Sequence, residues 1–358
     1  MNERKYLAYL HYLWLTQNDL RRLFAVEWRD AWEVYRSLSE VHLEDISIDS
    51  DKRYKILEKQ KKFREEMVDK VLRDREVEIV LESDDIYPQS LKEIPHSPYM
   101  LYVRGKLPNS EMFAVVGSRS ITSYGKSVIE KIVPDISKIF TIVSWGALGC
   151  DSEAHRVTLA SRWVTVSVIG TGIDKDYPYK HAKLFPEIIE KWGAVVSIFP
   201  IGEEAMPYNF PIRNEIVVWL SRWVLVVEAK EKSGSLITAW LCLDMGRDLF
   251  VIPWDILKSA HRGTNQLIKN WEAKCVLSTE DILEEYDILL KKSAHSSQIP
   301  LLTPAEQSVY QALCLDEMSI DDLSQSLSKA PSELTIAISM LELKWLIRKQ
   351  ISGKFHLC

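Results

Sequence analysis

The chain has 358 residues, 46% hydrophobic and 27% charged, an ordinary soluble globular composition with room for two or three domains. That excludes a mostly disordered or collagen-like chain, and no apolar stretch approaches the ~20 residues that span a bilayer. Lysine and arginine total 45 against 51 aspartates and glutamates, a net charge of -6, so any site for a polyanion has to be a local cluster.

Residues 1–76 read as all helical. The run from Tyr6 to Leu15 follows Arg4 and Lys5 as a signal peptide would. It contains His11, however, and passes into Thr16-Gln17-Asn18-Asp19 without a small-residue cleavage site, so it is expected to be a buried helix of a cytoplasmic protein. Thr16 stands in N-cap position before Leu20, Leu23 and Phe24. Ile56, Phe63, Met67 and Val71 form one stripe, and the interleaved Lys59, Lys61, Lys62 and Arg64 read as a solvated face rather than a nucleic-acid patch.

From about residue 77 to 290 short β-branched runs alternate with amphipathic helices. The expected strands are Phe113–Val116, Thr141–Ser144, Val164–Ile169, Ala194–Phe199, Trp223–Glu228, Leu249–Ile252 and Cys275–Leu277, with a helix over Ser127–Phe140 among the connections. Nearly continuous apolar strands separated by helices predict an α/β fold, a Rossmann-like parallel sheet covered on both faces, which binds ligands at the carboxyl ends of its strands. A polar linker is expected over 291–302 and a small domain over 303–358. There Thr303-Pro304-Ala305-Glu306 is a capping box and Ser319 caps a second helix. A third helix runs from Ser332 to Lys344, and a hairpin turning at Ser352-Gly353 completes a winged-helix outline. With seven acidic and five basic residues, this domain suits a protein contact better than the major groove. Five scattered cysteines (Cys150, Cys242, Cys275, Cys314, Cys358) form no C-x-x-C pair; reduced thiols are expected, with neither a zinc site nor a disulfide framework.

The strand ends carry the chemistry. Gly117-Ser118-Arg119 pairs a close backbone approach with a guanidinium, a combination suited to a phosphate. Asp151 and His155, one helical turn apart, read as a cap and a satisfied packing residue rather than metal ligands. Gly170-Thr171-Gly172 precedes Tyr177-Pro178. Phe210, Arg213 and Asn214 open one helix, and Lys232, Ser233, Gly234 and Ser235 open another. Together these groups predict a phosphate-plus-base pocket. They include no nucleophile with an oriented base, no P-loop and no G-x-G-x-x-G fingerprint, so a site that holds rather than cuts is expected, without enzymatic activity or a cofactor.

On these motifs residues 78–285 resemble the DNA-processing protein A family (DprA/Smf). The pattern runs through Tyr87-Pro88-Gln89, Arg104-Gly105, GSR at 117–119, Gly149-x-Asp151-x-x-Ala154-His155, IGTGID at 169–174, FPIRN at 210–214, SGSLITA at 233–239 and Ile252-Pro253. The resemblance implies a SAM-like helical domain over 1–76, a Rossmann-like DNA-binding domain and a winged helix. It also implies single-stranded DNA binding, a homodimer, and assistance to RecA recombinase in natural transformation and recombination. Carried over residue by residue, Gly117, Ser118, Arg119, Phe210, Arg213, Asn214 and Lys232 through Ser235 would contact DNA. The family's lysine after Tyr-Pro is Tyr179 here with Lys180 one place later, and Glu215 stands where a second arginine is frequent. The alternative readings are a nucleotide-hydrolysing enzyme of the lysine-decarboxylase-like phosphoribohydrolases, whose P-G-G-x-G-T-x-x-E stretch is missing, and a protein-interaction adaptor.

One pair of counts is abnormal: 13 glycines, about half the usual ~7%, beside 12 tryptophans. Trp145, Trp163, Trp192, Trp219, Trp223, Trp254, Trp271 and Trp345 stand where the family has glycine. Overpacking by an indole costs ~1–3 kcal/mol per site, and eight such costs exceed a typical ~5–15 kcal/mol of stability. The pattern is that of a gene whose own lineage decodes UGA as glycine, translated on paper with UGA as tryptophan. Crowded indoles are then expected beside the pocket, above all at Trp145.

Overall fold

The computed structural model describes residues 3–26, 30–94, 96–285, 303–313, 318–327, 329–343, 347–349 and 354–357. They fall into two compact units, Met1–Glu285 and Tyr286–Cys358.

In the first unit six helices precede the sheet: α1 (Arg4–Tyr12), α2 (Gln17–Val26), α3 (Ala31–Ser37), α4 (Glu40–Asp45), α5 (Ser50–Lys62) and α6 (Glu65–Asp74). Thr16 does cap α2, its hydroxyl accepting from the Asp19 amide while the Asp19 carboxylate accepts from the Thr16 amide. Tyr9, Leu10, Leu13, Leu20 and Leu43 are fully buried and share one core with Met100, Tyr102, Phe185 and Val195 of the α/β segment. The single stripe expected from Ile56 to Val71 is instead split between two helices. The chain turns extended at Phe63 and Arg64, Ile56 is buried, and Met67 is exposed. Lys59 also leaves the solvated set: it donates to the Tyr12 carbonyl and lies 4.1 Å from the Tyr12 ring centroid.

The sheet is built from β1 (Val77–Leu81), β2 (Met100–Gly105), β3 (Met112–Val116), β4 (Thr141–Trp145), β5 (Thr165–Val168), β6 (Ala194–Ser197), β7 (Trp223–Val226), β8 (Leu249–Val251) and β9 (Lys274–Cys275). Their order is β1-β2-β6-β5-β4-β3-β7-β8-β9. The seven expected strands are present, parallel from β6 to β9. An antiparallel pair, β1 and β2, extends the sheet beyond β6. Connecting helices are α7 (Gln89–Lys92), α8 (Ser123–Ile136), α9 (Cys150–Ala160), α10 (Leu184–Glu190), α11 (Asn209–Leu220), α12 (Gly234–Asp244) and α13 (Arg262–Lys269). Helix α8 starts four residues before the expected Ser127, because the Thr122 hydroxyl caps it by accepting from the Gly125 amide.

The order of connections reverses between β3 and β7, the switch point where such sheets usually open a ligand crevice. Here the crevice is filled from within. Glu228, just past β7 and fully buried, accepts from the Thr122 amide at 3.1 Å and from its hydroxyl, placing the protein's own carboxylate at the N-terminus of α8. The cationic pocket lies instead over β4 and β5.

In the second unit α14 (Pro304–Leu313), α15 (Ile320–Leu327) and α16 (Pro331–Leu343) pack with the antiparallel pair β10 (Ile347–Lys349) and β11 (Phe355–Leu357) around Val309, Leu323, Leu334 and Leu341. Both expected caps form: Thr303 exchanges hydrogen bonds with Glu306, and Ser319 with Asp322. The linker over 291–302, the turn at Ser352-Gly353, Cys314, Cys358 and Trp345 lie outside the described residues.

Candidate nucleic-acid interface

A cavity of about 80 Å³ opens at the carboxyl ends of β4 and β5, lined by Arg119, Gly146, Ala147, Leu148, Ile169, Gly170, Tyr177, Pro178, Phe210 and Arg213. Its organising side chain is Phe210, in the first turn of α11. The guanidinium carbons of Arg119 and Arg213 stand 5.1 and 5.7 Å from its ring centroid, so both cations lie against one ring. Gly170 lets that ring close on the end of β5, because a Cβ there would lie 3.2 Å from the Phe210 ring.

The two arginines are held differently. Arg119 is exposed at the tip of the loop after β3. The loop is shaped by Ser118, whose hydroxyl accepts from the Ser120 amide and whose carbonyl accepts from the Cys150 amide. Arg213 is only 3% exposed. It donates to the Val168 carbonyl and to Asn214 Oδ1, both at 3.2 Å, and its guanidinium carbon lies 4.8 Å from the Trp145 ring centroid. Burial pulls its pKa down to about 9 against the opposing pull of Asp151.

Asp151 completes the electrostatics. It is 1% exposed, with the Ala147 amide and the Ser144 hydroxyl beside its carboxylate and favouring the charged form. Burial raises its pKa to about 8, opposed by the charges of Arg213 and Arg119. The expectation that it caps α9 is corrected: it lies inside the first turn, and Gly149 occupies the N-cap. His155 is the packing residue expected, its Nδ1 2.7 Å from Thr165 Oγ1 and its Nε2 3.1 Å from the Trp145 carbonyl.

A pH dependence follows. Because the Asp151 pKa is raised above the ~3.9 of an unfolded chain, its contribution to stability is fully present below about pH 4. It is lost as pH rises to about 8. Asp151→Asn is expected to flatten this slope, stabilising the protein against urea at pH 8 and not at pH 4. An unchanged slope would place the carboxyl in water.

The sequence-derived site divides. Arg119, Phe210 and Arg213 converge, with Ser118 shaping the loop and Asn214 orienting Arg213. Gly117 is buried against Cys150, whose sulfur a Cβ would approach to 2.6 Å, so it serves loop packing. Lys180 is exposed in the short turn Tyr179–His181 just past the Tyr177-Pro178 wall. The group 232–235 does not join the lining. Lys232 is exposed at the end of β7, Ser233 caps α12 by accepting from the Ser235 amide, and Ser235 is buried. The filled switch point explains this, since the ends of β7 and β3 are occupied by the Glu228–Thr122 contact.

Not visible in the sequence pattern is the clamp behind Tyr177. Asp176 accepts from Arg75 at 2.8 Å and from the buried Arg104 at 2.9 Å, tying the pocket wall to α6 and β2. The Arg104-Gly105 dipeptide signals a tight strand end but not its acidic partner.

A mostly parallel α/β sheet with a cationic, aromatic cavity at its strand tips, and an internal carboxylate at the switch point, defines a Rossmann-like domain. Residues 78–287, more than half the chain, match the family model for DNA recombination-mediator protein A, and the chain belongs to that family. It is 39% identical over 206 residues to DNA processing protein DprA of Streptococcus pneumoniae, covering 57% of this chain and 72% of that one. It is 36% identical over 228 residues to protein Smf of Escherichia coli, covering 63% and 61%. The X-ray structure of the Streptococcus pneumoniae protein superposes with a TM-score of 0.66 at 31% identity, covering 78% of this chain and 97% of that one. DNA processing protein A from Helicobacter pylori, solved for its single-stranded DNA binding mode, gives 0.53 at 26% identity over 60% of this chain and 97% of that one. Among the described residues no helix is long and apolar enough to cross a membrane.

Proposed function

We propose that this chain binds single-stranded DNA without enzymatic turnover, and that it assists RecA recombinase on incoming DNA during uptake and recombination. The observation that carries the binding reading is the meeting of Arg119 and Arg213 on Phe210. Paired cations track a phosphate backbone, and a shared ring offers a base a stacking face without reading its identity. Apart from the Tyr177 phenol, the side chains lining the cavity are cationic or apolar, which suits retention rather than hydrolysis. The Helicobacter pylori relative supports the choice of single strands. The second unit is read as a winged helix that contacts protein: α16 presents exposed Ile336 and Met340 among serine and glutamate side chains rather than basic anchors. Two copies are expected to pair, as the family resemblance implies.

A mobility shift with single- and double-stranded oligonucleotides tests the reading. Salt-sensitive retardation of oligo-dT is expected. Arg119→Ala and Phe210→Ala should each weaken it by about tenfold or more, as loss of a stacked base or a phosphate contact does. Binding unaffected by either substitution, or turnover of nucleoside monophosphates, would overturn it.

A further inference from the structure

Of the six non-glycine residues with left-handed backbone among the described residues, three are tryptophans: Trp14 at φ 72°, Trp192 at 66° and Trp271 at 60°. Bulky side chains are outliers in that region, which glycine adopts freely. The molecule supplies its own control. Helix α12 ends with Gly246 at φ 65°, where the Arg247 amide reaches back to the Cys242 carbonyl and the Gly246 amide to Leu243. Helix α10 ends with the same two bonds around Trp192, from Gly193 to Ile188 and from Trp192 to Ile189. Helix α13 repeats them around Trp271, from Glu272 to Leu267 and from Trp271 to Ile268. This closure favours glycine at the left-handed position. The indoles are largely exposed, Trp271 at 94% and Trp192 at 65%, and the contacts that Trp14 and Trp192 make are with Lys59 and Lys106, each 4.1 Å from the ring centroid.

Three further indoles, at Trp145, Trp219 and Trp254, bury a nitrogen without a partner, Trp219 inside α11 with the Arg247 guanidinium 5.1 Å from its ring. The Trp254 and Tyr124 ring centroids are 3.2 Å apart, inside the ~4.5–7 Å of ordinary aromatic pairs, and Trp254 Nε1 is buried without a partner. Trp145 Nε1 is likewise buried and unpartnered, with the indole set against Arg213 at the end of β4. Elsewhere among the described residues no tryptophan stands at a left-handed position. Trp223 packs edge-on with Phe113, Phe140 and Phe250, and at the end of α9 the left-handed residue is Arg162 rather than Trp163.

We infer that the functional polypeptide carries glycine at positions 14, 145, 192, 254 and 271, encoded by UGA, and that glycine at 145 deepens the anion pocket beside Arg213 and Asp151. The second half rests on the DNA-binding reading. As the sequence stands, the cavity is small, about 80 Å³. With the indole gone, the buried Arg213 guanidinium would border the space vacated at residue 145, next in the chain to the lining residues Gly146 and Ala147.

The first test is the codons at the five positions together with peptide masses of the protein from its native source. UGA codons and glycine masses are expected; UGG codons or tryptophan masses overturn the inference. In recombinant protein, the combined change Trp14→Gly, Trp192→Gly, Trp254→Gly and Trp271→Gly should raise the Tm, and a lowered Tm counts against it. Trp145→Gly, introduced into that background so that folding is secured, should tighten oligo-dT binding several-fold. Unchanged affinity alongside a loss in Arg119→Ala would overturn the pocket half alone. Absence of binding in every variant would sink the DNA-binding reading, leaving the glycine assignment to be decided by codons and masses.

Discussion

Gly149→Ala is expected to destabilise the protein by on the order of 3–5 kcal/mol and to abolish binding at the pocket. Gly149 adopts φ 86° and ψ -127°, a conformation outside the reach of side-chain-bearing residues. A Cβ at this position would also lie 2.1 Å from the Ser118 carbonyl oxygen and 2.6 Å from the Arg119 carbonyl carbon. No flexible side chain can yield to it, because the obstacle is backbone. The same contact seats the loop that carries Arg119, since the adjacent Cys150 amide donates to Ser118. Strain and function are therefore coupled at this point: the loop after β3 approaches α9 closely only because residue 149 has no side chain. Urea unfolding measures the first effect, and oligo-dT binding at a denaturant-free, low temperature measures the second. A variant within 1 kcal/mol of the parent would show that the loop is free to move away.

The second large effect is expected at Asp176. Its carboxylate bridges Arg75, which is partly exposed, and Arg104, whose side chain is 6% exposed. Removing the acid strands a buried guanidinium, and breaking such pairs costs about 3–5 kcal/mol; the solvent-facing Arg75 arm lowers the expectation for Asp176→Ala to about 3 kcal/mol. Arg75→Met should cost under about 1 kcal/mol, as exposed pairs do. Asp176→Ala should also weaken oligo-dT binding, because the Tyr177-Pro178 wall follows directly in the chain and loses its tether. Equal, small effects from both substitutions would show that Arg104 finds another partner or water.

Much of the fold is legible in the chain because burial on both faces makes the strands of a parallel sheet nearly continuous apolar runs. Val115-Val116 and Val195-Val196 advertise themselves in this way. The capping boxes at Thr303 and Ser319 are local chemistry and are equally plain. The pair β1 and β2 is harder to see, since β2 joins the sheet through the distant β6 and much of the segment between β1 and β2 is turn. Within the site, Arg119, Phe210 and Arg213 are each visible as polar or aromatic residues at strand ends. Their separation from Lys232–Ser235 is not, because it depends on one buried carboxylate, Glu228, occupying the switch point. The burial of Arg213 and the raised pKa of Asp151 are likewise tertiary properties. They arise from elements 62 residues apart in sequence meeting beneath one cavity.

The most direct measurement of the shared pocket is backbone hydrogen exchange with and without oligo-dT. Slowed exchange is predicted in the loop 117–121, in 146–149, around Gly170 and Tyr177, and in the first turn of α11, with Ser233–Ser235 unchanged. Protection confined to the basic segment 59–64 or to the second unit, with these loops untouched, would contradict the assignment of Arg119, Phe210 and Arg213 as the seat of the strand.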